Sequence, residues 1–352
     1  MGQKTAIILF NLGGPDGPET VKPFLFNLFN DPAIIGLPQP FRWLLAKLIS
    51  GRRAPEAAKI YEELGGRSPL LPNTKVQAKA LEKALEGDRG SLGDVRCFIA
   101  MRYWHPFAHE AASAAREWGA DQVVLLPLYP QYSTTTTGSS LKDWKRAASN
   151  LGFKPKTRAV CCYPGEEGFV EAVADKLKAT LAELGDIPQQ DLRILFSAHS
   201  LPQKVIDGGD PYQKQVEATA AAIMTRIADT EHDWLVCYQS RVGPLEWIKP
   251  YTEEEIRRAG AEKKHLVVVP IAFVSEHSET LVELDIEYRD LARECGVPGY
   301  HRVGTVDDHP AFIEGLARIV RDALERENAG ISSNMDCRIC GEEWSRCAMA
   351  AD

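Results

Sequence analysis

Apolar positions along the chain fall into short continuous runs rather than alternating patterns. Thr5–Asn11 (TAIILFN), Val95–Tyr103, Gln122–Tyr129 (QVVLLPLY), Arg193–Ser197, Trp234–Ser240 and Leu266–Phe273 are each rich in Val, Ile or Leu and bounded by turn residues. Runs of this length predict strands buried on both faces, as in parallel sheets. Helical periodicity lies between them, over Ala54–Leu64, Thr74–Glu86 and Ala108–Trp118, with further helices expected from about Glu19 and Ser139 and a last one over Pro310–Glu327. The outline repeats. RILFS followed by AHSLP echoes AIILFN followed by LGGP, and HLVVVPIAF followed by SEHSETL echoes QVVLLPLYP followed by QYSTTTTGSS. Each half reads strand, helix, strand, helix, strand, helix, so the fold class is α/β, with two similar parallel sheets flanked by helices. The expected limits are 1–155 and 156–330, with a tail over 331–352.

One stretch departs from ordinary patterning. In Ser275–Tyr288 (SEHSETLVELDIEY), α-helical spacing puts Glu279, Glu283 and Glu287 at i, i+4 and i+8, with Glu276 on the same side and Leu281, Leu284 and Tyr288 opposite. A carboxylate stripe is ordinarily a solvated face. This one begins where a buried strand ends, which is where open α/β sheets bind ligands.

Two further stretches carry double readings. Residues 34–53 hold Ile34, Ile35, Leu37, Phe41, Trp43, Leu44, Leu45, Leu48 and Ile49, interrupted by prolines and interleaved with Arg42, Lys47, Arg52 and Arg53. They suit core helices or an interfacial lip on an anionic membrane equally well. The hydroxyl-rich run YSTTTTGSS after a buried strand suits an anion-binding loop or a polar loop with a helix cap.

Composition narrows the function. A chain of 352 residues with 44% hydrophobic content supports two globular cores, and a net charge of −8 argues against nucleic acid as a partner. Cys97, Cys161, Cys162, Cys237 and Cys295 are scattered, while Cys337, Cys340 and Cys347 crowd the tail. That usage suits a reducing compartment with a metal or cluster site. The opening residues carry no basic n-region and run straight into a strand, and no apolar run approaches the ~18 residues of a membrane span. A cytoplasmic chain, at most peripheral to a membrane, is expected.

The strand ends of the second half collect Ser197, His199, Gln239, Ser240, Phe273, His277 and Glu279; those of the first collect Leu12, Arg102, Tyr103, Tyr129 and Tyr132. Two histidines and a carboxylate at equivalent strand ends suit proton transfer near neutral pH or weak binding of a divalent metal. A P-loop, a nucleophile elbow and a dinucleotide fingerprint are absent.

These residues resemble the ferrochelatases. The likeness lies in NLGGP (11–15), RYWHP (102–106), YPQYSTTTTGSS (129–140), ILFSAHSLP (194–202), YQSRVGPLEW (238–247) and PIAFVSEHSETLVELDIEY (270–288). It implies the two-domain chelatase fold with Rossmann-like halves, and insertion of Fe2+ into protoporphyrin IX, with a coproporphyrin ferrochelatase or other porphyrin metal chelatase, or a non-catalytic haem or metal carrier, as alternatives. It implies that His199 accepts pyrrole protons or holds the metal, that Glu279 faces it, and that His277 supports both. Glu283, Asp285 and Glu287 would form a proton or metal conduit. Leu12 would lie beneath the macrocycle, with Arg102, Tyr103, Tyr129 and Ser240 near it and Trp247 and Phe273 as walls. Glu276 and Arg241 depart from the family, where Asp and Lys are common. The apolar stretch then matches a membrane-facing lip, placing the chain at the inner face of the cytoplasmic membrane; a homodimer is left open. The C-x2-C-x6-C tail resembles the three C-terminal ligands of [2Fe–2S] relatives, with Cys161 or Cys162 as fourth ligand, and zinc as the other reading.

Overall fold

The structure, a computed structural model, describes residues 2–88, 92–227, 232–327, 329–334 and 338–350. It divides into two compact units. Met1–Cys162 with Leu316–Ile339 forms the first; Tyr163–Gly315 with Cys340–Ala350 forms the second.

Parallel pairing throughout joins five strands in the first unit: β1 (Lys4–Asn11), β2 (Asp94–Met101), β3 (Gln122–Pro127), β4 (Lys156–Val160) and β9 (Ile331–Ser332), in the order β2-β1-β3-β4-β9. The second unit pairs β5 (Leu192–His199), β6 (Asp233–Gln239), β7 (His265–Pro270) and β8 (Tyr300–Arg302) in the order β6-β5-β7-β8. The first four strands of each unit therefore share one order, and the repeat seen in the sequence is a repeat of topology. Position in the sheet explains composition. β1, β3, β5 and β7 are interior strands and are buried almost throughout, whereas the edge strands β2 and β6 are only half-buried. At the β2 edge the Cys97 N–H donates to Glu82 Oε1 at 2.7 Å, occupying a group that would otherwise invite another strand.

Helix packing uses small side chains. Ala108, Ala111, Ala112 and Ala115 bring the helix Ala108–Trp118 close to Ala6, Ile8 and Phe10 of β1. In the second unit Ile256 and Ala259 cover Leu195, Leu266 and Val268, and Leu284 and Tyr288 join the same core. Those last two belong to the face predicted to be apolar.

Three expectations change. The first unit runs to Cys162 and not to 155, because Lys156–Val160 pairs with β3; residues 316–339 return to it because Ile331–Ser332 pairs with β4. The helix expected from Ala54 is the end of a longer one, Phe41–Glu62, with Pro55 inside it. Its apolar side points outward: Phe41, Leu44 and Leu48 (i, i+3, i+7) are 64%, 56% and 69% exposed, which sets aside the core reading for these residues. Among the described residues, no helix is long and apolar enough to cross a membrane. Finally, Glu279–Glu287 is a π-helix of nine residues, not an α-helix. Its i→i+5 bonding widens the turn, and such helices concentrate at functional sites.

Candidate active site

β5 delivers His199 to its carboxyl end, opposite Gln239 on β6. Tyr212 O–H donates to the His199 carbonyl at 3.0 Å and fixes the backbone there. The π-helix brings Glu279 to this point. His199 Nδ1 lies 2.8 Å from Glu279 Oε2, and because a carboxylate only accepts, Nδ1 carries the proton and Nε2 is left as the second nitrogen. Both side chains remain partly open, at 37% and 25%.

Glu283, one π-turn along, sits in a nest of donors. The Ser240 N–H donates to Glu283 Oε1 at 2.8 Å, Tyr288 O–H to the same oxygen at 3.0 Å, and Gln239 Nε2 to Oε2 at 2.9 Å. The Ser240 hydroxyl donates to Glu283 Oε2 and also lies 3.4 Å from Glu279 Oε2, so it stands between the two acids. Two features aim these donors. Ser240 has φ +65°, a left-handed conformation that residues other than glycine seldom adopt. Ser197 O–H donates to Gln239 Oε1 at 2.7 Å, which turns the amide nitrogen toward the acids.

The two carboxyls are pushed apart in pKa. For Glu279, burial raises the value, but the charge and hydrogen bond of His199, then His277 and Ser240, outweigh it and hold the group well below the usual carboxylate range. Burial would lower the His199 pKa, yet Glu279 and then Glu283 reverse this and raise it. Glu283 is raised by burial and by the negative charge of Glu279, against its donors. His277 is buried, with its ring 4.5 Å from that of Phe273; burial lowers its pKa, and among the described residues Nδ1 has no hydrogen-bond partner.

Other predicted residues make contacts of their own. Asp285 closes on Arg302 in a bidentate pair, and Glu287 is exposed on the π-helix. Trp247 is half-buried, its Nε1–H donating to the Val242 carbonyl at 3.2 Å. In the first unit Arg102 pairs with Asp31 at 2.8 Å, Ser139 O–H donates to Asp31 Oδ2 at 2.5 Å, and Tyr103 O–H to the same oxygen at 2.8 Å. Tyr103 is only 1% exposed, so it braces Asp31 and does not offer a surface to a ligand. Burial pushes the Tyr129 hydroxyl upward, against the Arg102 charge. Leu12 packs, partly buried, against a cluster that includes Tyr103 and Phe24. Cys161 and Cys162 are buried with sulfurs 3.2 Å apart, Cys340 Sγ accepts from Gln215 at 3.1 Å, and Cys347 is buried. Cys337 lies outside the described residues. Sequence reasoning missed Asp31, Ser139, Tyr212 and Arg302. Each joins the network through a pairing distant in sequence, which leaves no local signal.

The His199–Glu279 pair has a defined pH window. A raised histidine pKa stabilises below the unfolded value of about 6.5 and is lost as pH climbs through the folded value. A lowered carboxylate stabilises above about 4.3 and is lost as pH falls toward its folded value. Urea unfolding should show His199→Gln costing more at about pH 5.5 than at about pH 9. An equal or greater cost at the alkaline pH would contradict the charged pair.

Comparison with known proteins bears on this site. A family model described as Ferrochelatase matches residues 4–324. Curated relatives named Ferrochelatase include one from Caulobacter vibrioides (strain NA1000 / CB15N), 54% identical over 347 residues, covering 99% of this chain and 98% of the relative. Another, from Phenylobacterium zucineum (strain HLK1), is 54% identical over 345 residues and covers 98% of each. Among solved structures, SirB from Bacillus subtilis with Fe3+ aligns with TM-score 0.51 at 12% identity, covering 92% of this chain and 96% of that one. DR2241 from Deinococcus radiodurans, a multi-domain protein with structural similarity to chelatases, aligns with TM-score 0.53 at 16% identity, covering 93% and 56%. These two show the chelatase-like fold alone. On the family model and the full-length identities, the chain belongs to the ferrochelatase family.

Proposed function

We propose that His199, Glu279 and Glu283 are the insertion centre of this ferrochelatase, which places Fe2+ in protoporphyrin IX to give protohaem. The observation that carries the reading is the His199–Glu279 contact at 2.8 Å, with Glu283 bridged to it by Ser240. Insertion releases two pyrrole protons for each Fe2+ taken up, so a base and a weak metal ligand must share one place. Imidazole and carboxylate supply both, and they release iron more readily than thiolates. His199 Nε2 takes a pyrrole proton in its neutral form. Its Nδ1–H contact passes charge to Glu279, and the Ser240 hydroxyl links Glu279 to Glu283. Burial and the charge of Glu279 raise the Glu283 pKa while that of Glu279 is lowered, so Glu283 is the better proton acceptor of the two acids. Phe273 and Trp247 supply apolar walls against which a porphyrin can be held, and buried, neutral His277 stiffens the Phe273 side.

His199→Ala should abolish metal insertion while porphyrin still binds, as read by quenching of tryptophan fluorescence. Turnover at the wild-type rate would remove His199 from the centre, and exclusive use of coproporphyrin would overturn the choice of substrate.

The tail supports a second proposal, a [2Fe–2S] cluster held by Cys337, Cys340, Cys347 and either Cys161 or Cys162. Among the described residues no three His, Cys, Asp or Glu side chains converge on a metal position, and Cys337 is not among them. The donor chemistry fits nonetheless, because these cysteines supply sulfur ligands and Cys161, Cys162 and Cys347 are buried away from water. When bound, such a cluster supplies a one-electron couple. Metal insertion transfers no electron, so no step passes through it. Anaerobically purified protein should carry iron and acid-labile sulfide at about two each per chain; stoichiometric zinc without visible absorbance would contradict this.

The outward face of Phe41, Leu44 and Leu48, with Lys47 beside Trp43 at 4.9 Å, supports peripheral docking on an anionic bilayer at the inner face of the cytoplasmic membrane, from which an apolar porphyrin can enter. Phe41→Glu with Leu48→Glu should weaken cosedimentation with anionic vesicles; undiminished binding would refute the lip.

A further inference from the structure

β8 is only three residues long and ends in Arg302, whose side chain is 11% exposed. Its guanidinium makes three charged contacts with two carboxylates of one segment. Nε and Nη2 donate to Asp285 Oδ1 and Oδ2 at 2.8 and 2.6 Å, and Nη1 donates to Glu276 Oε1 at 2.7 Å. The Thr305 N–H adds a bond to the same Glu276 oxygen at 3.1 Å. Glu276 precedes His277, and Asp285 is the seventh residue of the π-helix. Glu279 and Glu283 therefore lie between the two points that Arg302 holds.

A π-helix is rare beyond a single turn, so nine residues of it need support from outside the local backbone. The apolar side supplies some, through Val282 and Leu284. On the polar side, Arg302 grips the residues that flank Glu279 and Glu283, whose own carboxylates are held by His199, Ser240, Gln239 and Tyr288. We infer that Arg302 is a positioning residue for metal insertion: by gripping Glu276 and Asp285 together, it keeps the π-helical register that sets Glu279 against His199 and Glu283 beneath Ser240. It follows that Asp285 anchors the helix and carries neither protons nor iron, because both its oxygens are engaged by one guanidinium. A lysine is a point charge and cannot span both carboxylates as the planar fork does.

The inference rests on the roles proposed for His199 and Glu279, so the test carries a control for those roles. Full-length wild type, Arg302→Met, Arg302→Lys, Asp285→Asn and His199→Ala are compared for Zn2+ insertion into protoporphyrin, with near-UV circular dichroism reporting the fold. Arg302→Met should lower kcat by about tenfold to a hundredfold, with the KM for porphyrin held within about twofold. Asp285→Asn should move kcat in the same direction, and Arg302→Lys should restore only part of the loss. If Arg302→Met does not fold, Asp285→Asn and Glu276→Gln each remove one arm of the grip and carry the same expectation. Unchanged kcat in Asp285→Asn and in whichever Arg302 variants fold, beside an inactive His199→Ala, would overturn the grip. Full rescue by lysine would overturn its two-armed form. An active His199→Ala would instead overturn the underlying site.

Discussion

Everything in the second unit's site turns on two carboxyls, one π-turn apart, whose pKa values are driven in opposite directions. Glu279 is held ionised by His199, and its negative charge then helps to push Glu283 the other way. Pairs of acids separated in this manner are how one site can hold a charge and receive a proton at the same pH. The separation depends on distance. With the Ser240 hydroxyl between them, the acids are close enough to sense each other and to exchange a proton through one oxygen.

The scaffold makes that distance reproducible. Central strand β5 supplies His199, the neighbouring β6 supplies Gln239 and Ser240, and the chain leaving β7 supplies the π-helix. Each contributing residue sits at or just beyond the carboxyl end of its strand, where a parallel sheet presents its loops. The first unit has the same strand order, but its corresponding ends carry the Arg102–Asp31–Ser139–Tyr103 network. One topology has thus been given two chemistries.

Much of this was legible in the sequence. The interior strands were readable because burial on both faces leaves unbroken Val, Ile and Leu, and His199 and Glu279 were readable because they follow such runs. Short strands were not: β4, β8 and β9 have five, three and two residues, too few to impose a period. The π-helix was hidden because Leu284 and Tyr288 face the core at a spacing an α-helix would also allow. Arg302 was invisible because only the parallel register of β8 on β7 brings it beneath Asp285. Phe41, Leu44 and Leu48 stood out as an apolar excess, but which way they faced was a matter of tertiary packing alone.

The most direct measurement is the anomalous scattering of Zn2+ soaked into crystals of the full chain. Metal binding displaces a proton from imidazole, so soaking at alkaline pH, where the raised pKa of His199 matters least, favours occupancy. The account predicts a peak at coordination distance, about 2.0–2.2 Å, from His199 and Glu279, with Asp285 still held by Arg302. A peak on Asp285, or one remote from His199, would contradict it.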